Sequence, residues 1–181
     1  MKTTDTLILG IGNTLLADEG VGVHALELLH SSYPNLPDVS FIDGGTLSFT
    51  LAAYIEDCDK LIVLDAAELN ARPGTVRTMV GEEMDVFLGA TRRSPHEVSL
   101  LDLFDIARLT ECLPQKRALI GIQPGRIEWG MHPTAPVEQA LSTVVKEAID
   151  LLSQWHHAQK QVTGDCPEPP AETFAAAGVG L

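Results

Sequence analysis

Leu7-Ile-Leu-Gly-Ile-Gly-Asn-Thr-Leu-Leu-Ala-Asp-Glu-Gly-Val-Gly-Val-His-Ala-Leu-Glu-Leu-Leu29 decides the fold. It opens with an uninterrupted apolar run, as a strand buried on both faces of a parallel sheet requires. It then breaks at a glycine turn and continues with apolar residues at helical spacing. A strand, a glycine turn and a helix raise the question of a nucleotide site. The dinucleotide fingerprint, however, needs a third glycine where Leu15 stands. A phosphate loop needs Gly-Lys-Ser/Thr, and the segment holds neither Lys nor Arg. Asp18 and Glu19 occupy the place of the phosphate, where they would repel an anion and suit a cation.

Working outward, the same alternation repeats. The first strand covers 6–12, the first helix 19–31, a second strand 39–42 and a second helix 48–56. Lys60 to Asp65 forms a third, continuously apolar strand, and β-branched residues from Thr75 to Val80 form a fourth. Ser94-Pro95-His96-Glu97 has the form of a helix start, with Ser as cap, Pro in the first position and Glu in the third. That helix runs to about 110. Arg117 to Gln123 is a fifth strand and Val137 to Trp155 a long closing helix. The expected architecture is three-layer α/β/α, a twisted, mainly parallel sheet of about five strands with helices on both faces. Residues 1–157 form the domain. The Pro-, Gly- and Glu-rich stretch 158–181 reads as a disordered tail.

With right-handed crossovers, the strand order begins 2-1-3. The first and third strands are then neighbours about 4.8 Å apart, and the crevice at their carboxyl ends is the expected binding place. The topology thereby selects Glu19, after the first strand, and Asp65, at the end of the third. Each also has a plainer role. Glu19 suits a helix dipole, and Asp65 suits a turn. Asp18 suits an N-cap, which would leave Glu19 free to point elsewhere. His96, in a first helical turn, stays neutral as metal ligation demands. Two carboxylates and one imidazole fit Zn, Ni or a related ion and leave positions open, as in a working site. Asp43-Gly44-Gly45-Thr46, closing the second strand, could offer backbone N–H groups to a substrate or an oxyanion; a tight turn explains it equally well.

Composition excludes other classes. The 181 residues carry 12 basic and 25 acidic side chains, a net charge of −13 and a pI near 4.7. Nucleic acid, bound through Lys and Arg on phosphates, is therefore not an expected partner, and neither is an anionic membrane. No apolar run is long enough to span a bilayer, and the N-terminus lacks the form of a signal peptide. The chain reads as cytoplasmic. Cys58, Cys112 and Cys166 have no Cys-x-x-Cys spacing, which disfavours a disulfide frame or a thiolate metal site. There is no His-Glu-x-x-His and no Gly-x-Ser-x-Gly.

Five motifs occur together and in order: Gly10-Ile-Gly-Asn-x-Leu-x-x-Asp-Glu-Gly-x-Gly22, Asp43-Gly-Gly-Thr46, the strand ending Asp65-Ala66, Ser94-Pro-His96 and Gly121-Ile-Gln-Pro124. In these the chain resembles the nickel–iron hydrogenase maturation endopeptidases of the HyaD, HybD and HupD type, over about residues 5–155. The resemblance implies a monomeric cytoplasmic endopeptidase. It would remove a C-terminal extension from the hydrogenase large-subunit precursor once nickel is in place. It also implies that Glu19, Asp65 and His96 contact the metal. Nickel would then be borne by the substrate, with Zn or Cd able to substitute in the isolated protein. A non-catalytic nickel-binding chaperone is the alternative that keeps the same three residues.

Overall fold

The computed structural model describes the backbone of residues 4–90 and 98–163, and side chains to residue 156. Five strands, β1 (Thr4–Ile11), β2 (Val39–Gly45), β3 (Cys58–Ala66), β4 (Val76–Val80) and β5 (Lys116–Ile122), form one sheet in the order β2-β1-β3-β5-β4. The first four in that order run parallel. Only the edge strand β4 is antiparallel, paired to β5. The expected 2-1-3 start and the mainly parallel five-stranded sheet are both present.

Helices α1 (Val21–Ser32) and α5 (Ala135–Thr163) cover one face, and α2 (Leu51–Glu56), α3 (Glu82–Ala90) and α4 (Leu100–Leu109) the other. Residues alternate across a strand, which divides the core in two. Ile8, Ile62, Leu64, Ile120 and Ile122 pack toward α1 and α5. Leu7, Leu9, Leu61, Val63 and Leu119 pack toward α2, α3 and α4. The central strands carry unbroken apolar runs, over residues 7–9, 61–64 and 118–120, where both their faces are covered.

Several boundaries differ from the sequence reading. Helix α1 begins at Val21 and not at residue 19. It is preceded by a 3-10 turn, Ala17–Gly20, that carries both acids. Asp18 is not a cap, and Gly20 occupies the cap position of α1. The second helix is shorter than 48–56, and α3 has no counterpart in the expectation. Of the helix expected from Ser94 to about 110, the described part is α4, which begins at Leu100 and is capped by Ser99 in extended conformation. Ser99 and Asp102 exchange hydrogen bonds in a capping box. Ser94 and Ser99 both head a Ser-x-x-acid sequence. At Ser99 the box is followed by Leu103 and Phe104, which with Leu100 are buried and hold this start in place. Residues 94–97 lie outside the described residues.

β3 does not lead into a helix. A loop carries the chain to β4 at the far edge, so the crossovers that leave on opposite faces are α1, between β1 and β2, and α2, between β2 and β3. α5 begins at Ala135 and runs to Thr163, so the expected domain end at 157 falls inside it. Among the described residues no helix is long and apolar enough to cross a membrane.

Candidate functional site

The glycines of the opening motif bring backbone against backbone. A β-carbon at Gly22 would lie 2.1 Å from the Leu64 carbonyl oxygen and 2.3 Å from that of Ile11. The start of α1 therefore rests directly on the carboxyl ends of β1 and β3. Gly12 has φ +134°, and a β-carbon there would meet the Glu19 carbonyl oxygen at 2.0 Å. These contacts, and not a phosphate, account for the Gly-x-Gly pattern at both ends of the motif. They seat the 3-10 turn on the mouth of the sheet, with Glu19 at the crevice.

The paired acids have separate tasks. Asp18 is fully buried. Its carboxylate accepts hydrogen bonds from the backbone N–H of Gly125 (2.8 Å), Arg126 (2.9 Å) and Thr134 (2.5 Å), and from the Thr134 hydroxyl (2.9 Å). Burial alone would raise the Asp18 pKa. The donors of Thr134, Gly125 and Arg126 together outweigh that and hold it below its ordinary value. Asp18 is thus an anchor for the segment between β5 and α5. Glu19, half-buried, faces the cleft, and its carboxylate accepts a hydrogen bond from the backbone N–H of Asn13. Asn13 is set by its own side chain, which accepts from the Leu15 N–H at 3.0 Å.

Glu19 and Asp65 line one cleft of about 1090 Å³ at the carboxyl end of the sheet. Asp65 is two residues on from Val63 and shares its register with Gly121 of β5. Leu47, Phe87, Leu88 and Leu100 supply the apolar wall. Glu68 and Asp102 add two more carboxylates to the lining, and no Lys or Arg is among its described residues. The described lining thus carries four carboxylates. A smaller hollow of about 360 Å³, lined by Thr4, Ser40 and Asp57, lies at the amino ends of the strands and holds none of the expected site residues.

His96 lies outside the described residues. Val98 and Ser99 line the same cleft. Among the described residues no three metal-binding side chains cluster. Of Asp43-Gly44-Gly45-Thr46, only Thr46 lines the cleft. The Gly45 N–H donates to the Asp43 side chain at 2.8 Å, and the Gly45 carbonyl accepts from Gly12 N–H at 2.8 Å. Asp43 to Gly45 end β2, with Gly45 at φ +49°, and a turn closed by the Leu47 N–H on the Gly44 carbonyl follows, tied to the glycine loop through Gly12.

The sequence reading missed Asn13 and Gln123. Gln123 is buried, and its side-chain oxygen accepts from the N–H of Leu69 (2.7 Å) and Ala71 (3.3 Å). It thereby shapes the loop that follows Asp65. An uncharged amide between an apolar strand and Pro124 is the signal that could have marked it.

A family model described as hydrogenase maturation protease matches residues 23–151, a span that includes Asp65 and His96 and begins just after Glu19. The hydrogenase 2 maturation protease of Escherichia coli K12 is 39% identical over 151 residues, covering 82% of this chain and 90% of the relative. The solved hydrogenase maturating endopeptidase HybD of Escherichia coli superposes with a TM-score of 0.77 at 31% identity, covering 83% of this chain and 93% of that one. The [NiFe] hydrogenase maturation protease HybD of Thermococcus kodakarensis superposes at 0.66 with 28% identity, covering 82% and 99%.

Proposed function

Because the chain belongs to the hydrogenase maturation protease family, we propose that its acidic cleft receives the large-subunit precursor of a [NiFe] hydrogenase and that Glu19, Asp65 and His96 read the nickel the precursor already carries. The chain is an endopeptidase, as its family and its structural neighbours are. The bond cut is the one that releases the C-terminal extension after nickel insertion, and the work is done in the cytoplasm by a single copy of the chain.

One observation carries this reading: Glu19 and Asp65, from two separate strand ends, line a cleft without a basic residue among its described lining. Oxygen donors of this kind, completed by an imidazole, fit a borderline divalent ion such as nickel and leave room for ligands supplied by the precursor. Zn or Cd suits the same donors in the isolated protein. Asn13 holds one side of the Glu19 carboxylate, so Glu19 is set before the ion arrives.

The test compares nickel-loaded and nickel-free precursor with wild type and Asp65→Asn. Wild type should shorten only the nickel-loaded form. Asp65→Asn, nearly the same in shape, should keep the fold and cut that form at least about tenfold more slowly, since a lost charged ligand is worth more than 1.4 kcal/mol. Cleavage of nickel-free precursor by zinc-treated protein at the normal rate would overturn recognition and favour a hydrolytic metal held by the protease. A nickel-loaded precursor left at full length would favour the non-catalytic chaperone.

A further inference from the structure

Leu15, Ile127, Trp129 and Met131 are 44%, 51%, 79% and 67% exposed, and they belong to two loops that are joined to one another. The Ala17 N–H donates to the Gly130 carbonyl at 2.7 Å, and the Gly130 N–H donates to the Leu15 carbonyl at 3.0 Å. Leu16 and Gly130 form an isolated parallel bridge. Asp18, buried beneath, fixes the same segment through Gly125, Arg126 and Thr134. The segment between β5 and α5 is therefore held rigidly while it presents Trp129 and Met131 to solvent.

Neither side chain contributes to the core, and exposed apolar surface of this kind is favourable only when something covers it. Trp and Met are also the residues enriched at the centres of protein interfaces. The rim is continuous with the cleft, because Ile127 and Leu16 line the cleft as well. A protein whose segment enters the cleft must lay adjoining surface on this rim.

We propose that Leu15, Ile127, Trp129 and Met131 form the docking surface for apolar residues of the precursor beside the segment that enters the cleft. This rests on the reading of the cleft given above. The rim holds the protein substrate by apolar contact, whether or not nickel is present, and the acidic cleft then discriminates the loaded form. Affinity and readiness are read at two adjoining places.

The experiment measures binding of nickel-loaded and nickel-free precursor by biolayer interferometry. Trp129→Ala should weaken binding of both forms by roughly tenfold, as removal of a central aromatic anchor does, and Trp129→Ala with Met131→Ala by more. Trp129→Phe, which keeps an apolar ring, should bind near wild type and guards against loss of folding. Val86→Ala and Leu109→Ala, at exposed apolar positions on α3 and α4 (73% and 86% exposed), should change nothing. Wild-type affinity in the Trp129→Ala and Met131→Ala double variant overturns the rim, as does an equal loss in the α3 and α4 variants or a wild type that binds neither form. If the rim variants lose affinity while Asp65→Asn binds and cuts loaded precursor as wild type does, the nickel reading fails and the rim stands.

Discussion

The carboxylate of Asp18 takes both the backbone N–H and the hydroxyl of Thr134, a residue 116 positions further along the chain. That pair closes the segment after β5 onto the turn that follows β1.

Replacing Asp18 with Asn should therefore cost stability out of proportion to the size of the change. All four partners of Asp18 are donors. An amide group would turn its own N–H toward at least one of them in a buried place. A loss of about 2–3 kcal/mol is expected, read as a lowered urea midpoint with unchanged slope. An unchanged midpoint would show that the anchor adds nothing.

The same residue fixes a dependence on pH. Its native pKa lies below the ordinary value of 3.8. A carboxylate lowered in the native state stabilises only while ionised. Its contribution is whole above pH 3.8 and disappears as pH falls from there through the native value. Asp85 acts in the same direction. Burial opposes its ionisation, and the hydrogen bond and charge of Arg117, then those of Arg108, outweigh it. Wild type should lose stability below pH 3.8 more steeply than Asp18→Asn does, and parallel curves would refute the assignment.

Gly22→Ala should be far worse than an ordinary helix substitution. In an exposed helix the exchange helps by up to about 1 kcal/mol. Here the methyl would meet the Leu64 and Ile11 carbonyl oxygens. A loss above about 3 kcal/mol, or failure to fold, is expected. Thermal melting near the wild-type temperature would show that α1 can lift from the strands without penalty.

Titration with nickel alone should give about one site per chain, weakening as pH falls and protons compete for the ligands. His96→Ala and Glu19→Gln should each lower the affinity by tenfold or more. Calorimetry that finds His96→Ala equal to wild type would remove His96 from the set.

Much of this was readable in the chain because burial writes itself as pattern. The middles of β1, β3 and β5 are sealed on both faces, so they read as unbroken apolar runs, and their order set Glu19 and Asp65 on one cleft. What escaped was decided by tertiary contact. The start of α4 at Ser99 is held by the burial of Leu100 and Phe104, which spacing alone does not single out. α3 buries one side chain, Met84, and so leaves little periodic trace. Asp18 had the look of a local cap because nothing nearby in sequence announces Thr134. Gln123 hid within an apolar strand end for the same reason.

The two acids of the opening motif share a peptide bond. Asp18 is clamped to the segment bearing Trp129, and Glu19 looks into the cleft. One dipeptide therefore fastens the loop that carries Trp129 and sets a carboxylate on the cleft wall.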